Sequence, residues 1–169
     1  MTQASPITFT IVSTSLGSAL VGATDSGICC LLLGGSGDEL LGRLAAELPG
    51  RSYLRDDSSM GERARQAIDA IDGRLPVDQL PLDPIGTEFQ RRVWGELRTI
   101  PEGSTASYTE VARAIGSPKA ARAVASACAS NHIAVAIPCH RVVRGDGGLG
   151  GYKWGVERKK ALLEREATE

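Results

Sequence analysis

The chain has 169 residues, a formal net charge of −1, 42% hydrophobic and 23% charged residues, proportions that allow a core in one compact domain or two small lobes. No apolar run approaches the roughly 18 residues of a membrane span, and the N-terminus lacks the basic-then-apolar layout of a secretion signal, so a cytoplasmic protein without a membrane partner is expected. Residues 1–85 carry six Arg against eleven Asp and Glu, whereas residues 86–169 carry thirteen Lys and Arg against nine Asp and Glu, which points to the second half as the one suited to an anionic partner such as nucleic acid.

The runs Ile7 to Val12, Ala19 to Ala23 and Ile28 to Leu33 are β-rich and are broken by Gly17, Asp25 and Gly27 at hairpin spacing, which predicts an antiparallel meander. Leu40, Leu41, Leu44, Ala45 and Leu48 follow helical spacing and stop at Pro49-Gly50, and a second helix is expected from Gly61 to Ile71. Leu75 to Pro84, with Pro76, Pro81 and Pro84, reads as an extended link between lobes. No chemistry shows in this half; it reads as a scaffold.

Beyond the link, Thr87-Glu88-Phe89-Gln90 is a capping box ahead of an apolar stripe of Phe89, Val93, Trp94 and Leu97. A second box, Ser107 to Glu110, opens a short helix through Ile115 that Gly116 ends. Ser117 as N-cap and Pro118 at the first helical position then start a third helix running to about Ser130. Short helix, glycine turn and longer helix form a helix-turn-helix pattern. The third helix, Lys119 to Ala129, is nearly all small residues with one Arg, a composition that suits either a narrow groove with Arg122 inserted or an Ala-rich core helix with a solvated Arg.

The run Ile137-Pro138-Cys139-His140-Arg141-Val142-Val143 places a thiol beside an imidazole after the apolar stretch Ala134 to Ile137. A thiolate is the reactive form of cysteine, and a nearby proton acceptor or positive charge makes it available. In an extended strand neighbouring side chains diverge, so a link between the two needs a bend at Pro138 or an intervening water. Cys29, Cys30 and Cys128 sit in apolar or Ala-rich surroundings and read as buried inert thiols, and the four cysteines show no metal-ligand spacing. Arg144 to Trp154 follows, with five glycines in seven residues suiting either a close backbone approach to a ligand, with Tyr152 and Trp154 as flat walls, or a surface hairpin. A last helix, Val156 to Glu166, carries Leu162 and Leu163, and Glu166 either turns back to His140 or ends in solvent.

Tyr108, Arg122, Asn131, the Pro138-Cys139-His140-Arg141-Val142 motif, the Gly-rich loop with Tyr152 and the terminal Leu162-Leu163-x-x-Glu166 occur in the order and spacing of the O6-alkylguanine-DNA alkyltransferases, which the chain resembles along its length. Gly86 to Ala167 is most similar to the C-terminal domain of the Ada adaptive-response protein, whose zinc-bearing regulatory domain has no counterpart in this sequence, so a stand-alone repair protein is expected. The resemblance implies an α/β two-lobed fold. Residues 1–80 would form an antiparallel sheet with helices, RNase H-like, and residues 81–169 a mostly helical lobe with a helix-turn-helix at about 107–130.

By the same resemblance, the protein would enter the minor groove of double-stranded DNA as a monomer, without cofactor or metal, and flip out an alkylated guanine or thymine. Arg122 would fill the gap in the stack, and Ser117, Lys119, Ala120, Ala121, Ala123 and Arg141 would contact DNA. Tyr108, Val142, Tyr152, Lys153 and Trp154 would hold the base, with Trp154 narrowing the pocket toward small alkyl groups. Cys139, poised as a thiolate at the mouth of the cavity, would take the alkyl group irreversibly, once per molecule. His140 would act as base through a water, Glu166 would orient it, and Asn131 would tie the helix to the site. Where relatives have Asp-x-Arg-Gly-Thr, this chain has Asp83-Pro84-Ile85-Gly86-Thr87, so any contact made by that Arg is absent. Two other classes fit parts of the pattern: a non-enzymatic helix-turn-helix or lesion-sensing protein, and a cysteine hydrolase. Lesion sensors of this kind replace the reactive cysteine, which is present here, and a hydrolase needs an oxyanion hole for which no motif is visible.

Overall fold

The computed structural model describes residues 5–168. The three β-rich runs form β1 (Ile7–Thr14), β2 (Gly17–Thr24) and β3 (Gly27–Gly34), antiparallel in sequence, with Thr14 opposite Gly17 and Thr24 opposite Gly27. Two residues therefore separate the paired ends of each hairpin, Ser15-Leu16 and Asp25-Ser26, and Gly17, the first residue after the first turn, has a positive φ (110°) that glycine adopts without a Cβ penalty. β3 is buried along its whole length.

A fourth strand makes the sheet mixed and corrects the expectation of a purely antiparallel one. The order is β3-β2-β1-β4, with β4 (Tyr53–Arg55) parallel to β1. A parallel neighbour needs a crossover, and α1 (Gly37–Glu47) provides it between β3 and β4. Ser36 caps α1 by accepting from the Glu39 N–H, and Leu40 and Leu44 pack with Ile7, Phe9, Leu20 and Leu32. α2 (Gly61–Ile71) follows and buries Ala64, Ala67, Ala70 and Ile71.

Two segments are bonded onto β3. Ile28 donates its N–H to the Pro81 carbonyl (2.9 Å) and accepts from the Asp83 N–H (2.8 Å), so the proline-rich stretch is held rather than a free link. Three residues on, Leu31 makes the same pair of bonds with His132 and Ala134, each 2.8 Å. One contact-dense unit accordingly runs through Ile85 and includes His132–Ala136; the other comprises Gly86–Asn131 and Ile137–Glu169.

In the second unit α3 (Glu88–Leu97) starts at the Thr87 capping box and buries Val93, Trp94 and Leu97, and the Trp94 indole donates to the Ala127 carbonyl at 2.8 Å. α4 (Tyr108–Ala114) starts at the Ser107 box and ends before Gly116, which has a positive φ of 78°. α5 (Ala121–Ala129) begins later than Ser117-Pro118 predicts, with Ala120 as its N-cap and no side-chain cap. The Ala120 N–H bonds back to the Ser117 carbonyl (2.9 Å), closing a turn with Pro118 at its second position, a setting proline suits as well as a helix start. β5 (Ala106–Ser107) and β6 (Val142–Val143) pair in parallel, and α6 (Val156–Ala167) buries Lys159, Leu162 and Glu166 along one face. Among the described residues, no helix is long and apolar enough to cross a membrane.

The sheet core of the first unit has no spare volume at Gly22, where an added Cβ would lie 2.4 Å from Cys30 Sγ and 3.0 Å from Ile7 Cγ2. Gly22→Ala is expected to lower unfolding free energy by about 1–3 kcal/mol, read as a lower urea midpoint at unchanged slope. Adding Cys30→Ala should restore part of the loss.

Candidate active site

Pro138 (φ −81°, ψ 63°) bends the chain, and Cys139–Arg141 is one turn of 3-10 helix rather than a continuing strand. Successive side chains in such a turn point about 120° apart. Cys139 thus meets a cavity while His140 and Arg141 meet α6.

His140 is fully buried, and its Nε2 lies 3.2 and 3.1 Å from the two carboxylate oxygens of Glu166. The same carboxylate accepts from Arg141 Nε (3.0 Å) and Nη2 (2.8 Å), while Arg141 Nη1 donates to the Ile100 carbonyl (2.8 Å). Burial pushes the Glu166 carboxyl up, but the bonds from His140 and Arg141 outweigh it and hold its pKa at about 2. An ionised carboxylate only accepts, so the proton of a neutral imidazole sits on Nε2 and Nδ1 keeps its lone pair. Nδ1 is buried and has no hydrogen-bond partner among the described residues. Burial lowers the His140 pKa below its ordinary value of 6.5 against the opposing pull of Glu166, so at neutral pH the ring is uncharged and can accept a proton at Nδ1.

The Cys139 thiol is 5% exposed and lines a cavity of about 290 Å³ with Tyr108, Ala125, Cys128, Ala129, Gly151, Tyr152 and Lys153. Burial raises its pKa to about 11; a hydrogen bond from Asn131 Nδ2 (3.4 Å) and the charges of Lys159 and Lys153 pull it back only part of the way. The resting sulfur is a neutral thiol. That corrects the expectation of a resident thiolate, because desolvation of the anion exceeds the stabilisation these three groups offer. Asn131, fully buried, also donates to the Ile137 carbonyl (3.0 Å), and its own carbonyl accepts from Lys153 Nζ (2.9 Å). The end of α5, the cysteine turn and the glycine-rich loop are joined through this one residue.

The remaining predicted base-holding residues divide. Tyr108 and Tyr152 line the cavity, burial keeps both hydroxyls protonated, and Tyr152 Oη is buried without a partner. The Val142 carbonyl is already engaged by Lys159 Nζ at 2.7 Å. Trp154, expected to narrow the pocket, is 1% exposed, packs edge-on to Tyr152 with ring centroids 5.4 Å apart, and is not part of the cavity wall. The glycine-rich chain turns it inward behind Tyr152. The small wall residues Ala125, Cys128 and Ala129 bound the cavity instead.

Of the residues expected to contact DNA, Lys119, Arg122 and Ala123 are exposed and Ser117, Ala120 and Ala121 half-buried. Arg122 forms no hydrogen bond or ion pair among the described residues. Arg141 is the exception: it is 5% exposed and committed to Glu166 and Ile100, so it serves the interior of the site rather than a DNA-facing surface. The reason is the 3-10 turn, which aims it at α6.

Sequence reasoning missed Lys159, which is fully buried, forms no ion pair among the described residues, and bonds the carbonyls of Val142, at the end of the cysteine turn, and Gly151 (3.1 Å), on the cavity wall. Its signal was present as a lysine three and seven positions before Leu162 and Glu166, on the inward stripe of α6. Cys128 was placed among inert thiols and lies on the cavity wall.

Residues 88–168 match the family model described as 6-O-methylguanine DNA methyltransferase, DNA binding domain. The methylated-DNA–protein-cysteine methyltransferase of Mycobacterium tuberculosis is 44% identical over 148 residues, 85% of this chain and 90% of that protein. The chain belongs to the O6-methylguanine-DNA methyltransferase family. The bifunctional transcriptional activator/DNA repair enzyme Ada of Escherichia coli is 48% identical over 161 residues, and this member of the family spans 46% of that protein's length. The crystal structure of Mycobacterium tuberculosis OGT in complex with DNA superposes with a TM-score of 0.78 at 35% identity, covering 95% of this chain and 93% of the other.

Two outcomes test the buried network. Glu166→Gln leaves the Arg141 guanidinium without its counter-charge and should lower stability by about 3–5 kcal/mol in a denaturant titration. The wild-type stability that comes from a carboxyl depressed to about 2 is complete above the ordinary glutamate value of 4.5 and is lost as pH falls toward 2. The variant should lose this part of the acid dependence.

Proposed function

We propose that the protein repairs DNA by moving the alkyl group, mainly methyl, from O6-alkylguanine or O4-methylthymine to Cys139, irreversibly and once per molecule. The observation that carries this reading is a thiol on the wall of a cavity whose neighbouring imidazole is held neutral, with a free lone pair on Nδ1 and its other nitrogen bonded to a carboxylate. His140 takes the thiol proton through a water as sulfur attacks the alkyl carbon and guanine leaves. Burial has moved the two groups apart, the thiol up to about 11 and the imidazole below its ordinary value, so passing the proton between them at rest is uphill and deprotonation has to accompany attack rather than precede it. The product thioether offers water no acyl carbon to attack, so the protein is not regenerated. No cofactor is required.

The target base lies out of reach in a stacked duplex and must be rotated out. We read α4, the Gly116 turn and α5 as a helix-turn-helix that enters the minor groove of double-stranded DNA, with exposed Arg122 filling the vacated place and Ser117, Lys119, Ala120, Ala121 and Ala123 lying along the backbone. Tyr108 and Tyr152, both protonated donors on the wall, and the Lys153 backbone would hold the flipped base, and Asn131 would keep α5 in register with the cysteine. The complex of the mycobacterial relative with DNA supports this partner. In the first unit, three antiparallel strands followed by α1 and a parallel β4 support an RNase H-like reading. The protein is taken to act as a monomer in the cytoplasm.

Mixing the protein with a duplex containing one O6-methylguanine should add one methyl group to the peptide holding Cys139, read by intact and peptide mass. An unchanged mass in excess lesion duplex, or continued turnover, would rule the reading out. Cys139→Ala should lose uptake and still bind the duplex. The single-turnover rate should stay level through neutral pH and past 6.5, and fall only at lower pH, as His140 with its lowered pKa becomes protonated.

A further inference from the structure

The cavity holds a second thiol. Cys128 lies on its wall with Cys139, and the repair reaction described above leaves it unused. It occupies the last turn of α5, three residues before Asn131, whose side chain touches Cys139 Sγ at 3.4 Å. Both cysteines are free, and both line one cavity of about 290 Å³. The α5 residues at this wall, Ala125, Cys128 and Ala129, are small and leave room for a group larger than methyl, and Trp154 is not part of the wall. A charge on Cys139 opposes ionisation of Cys128, consistent with their sharing one cavity.

We propose that Cys128 is a second acceptor, specific to lesions whose alkyl group carries its own leaving group, the class left on guanine O6 by bifunctional alkylating agents. This rests on the alkyl-transfer reading of Cys139. In the first step the Cys139 sulfur–carbon bond forms, the carbon–O6 bond breaks, and the thiol proton passes through His140 to the departing guanine. The protein then carries a thioether whose far carbon still bears a halide. In the second step Cys128 sulfur attacks that carbon, the carbon–halide bond breaks, the halide leaves with the bonding electrons, and the Cys128 proton goes to water at the open side of the cavity. Two thioethers joined by one alkylene bridge result, and no oxidant or reductant is involved. Without Cys128 the electrophilic end remains available to the bound DNA, and a protein–DNA crosslink follows. Burial raises the Cys128 pKa to about 12, so the second step is the slower one, and confinement beside the electrophile offsets the scarcity of thiolate.

The test uses the full chain and a duplex containing one O6-(trans-4-chlorobut-2-enyl)guanine, whose trans alkene prevents closure onto the guanine ring. Intact mass and titration of thiols after denaturation are read together. The wild-type protein should gain a chlorine-free butenylene bridge and lose two of its four titratable thiols, those of Cys128 and Cys139. Cys128→Ser should lose one thiol, retain chlorine or hydroxyl on the Cys139 adduct, and give at least tenfold more protein–DNA crosslink. Wild-type protein that loses only the Cys139 thiol, or that takes methyl from O6-methylguanine but refuses the chlorobutenyl group, overturns the second-acceptor proposal and leaves the repair reading standing. Failure to take methyl as well overturns both.

Discussion

The site depends on one carboxylate in a place from which water has been removed. Glu166 receives hydrogen bonds from two consecutive residues of a single 3-10 turn, and all three side chains are almost wholly buried. A charge so placed is tolerated only because Arg141 neutralises it and His140 satisfies its remaining capacity. The arrangement fixes α6 against the cysteine turn and determines which imidazole nitrogen carries the proton. Removing the guanidinium would favour protonation of either Glu166 or His140, and the free lone pair at Nδ1 would no longer be assured.

Burial acts in opposite directions on the two groups proposed to exchange a proton. It raises the thiol and lowers the imidazole, because in each case the charged form is the one that loses hydration. A thiol held neutral at rest is protected from adventitious oxidants and electrophiles, which react with thiolate. Such protection matters for a protein proposed to act once. Lys159 works against full suppression, since its cation lies close enough to favour the anion, and its bonds to Val142 and Gly151 tie the cysteine turn to the glycine-rich loop.

α5 shows how a helix of small residues serves three neighbours. Val124 and Ala127 are buried in the core of the second unit, Ala125, Cys128 and Ala129 line the cavity, and Arg122 and Ala123 face solvent. Bulkier side chains would thicken the helix on every face. Of the choice that the composition left open, core packing holds for Val124 and Ala127, and the exposed positions stay free for the proposed groove contact.

The hairpins, the apolar faces of α1 and α3, the existence of α2, both capping boxes, the cysteine-histidine motif and the family were legible in the sequence, because these are recorded in local periodicity, in side chains that satisfy neighbouring backbone groups, or in the spacing of motif residues. The sequence did not disclose β4, three residues long with no periodic signal, or the bonding of Leu75–Pro84 to β3, which depends on a strand some fifty residues earlier in the chain. Ser117-Pro118 carried a helix-start signal that the same residues satisfy as a turn. Only the tertiary structure decided that Arg141 points inward to Glu166, that Trp154 lies behind the cavity rather than in it, that Lys159 is buried beneath the site, and that the thiol rests protonated. Each of these is set by desolvation and by partners distant in sequence, quantities that no local pattern of residues encodes.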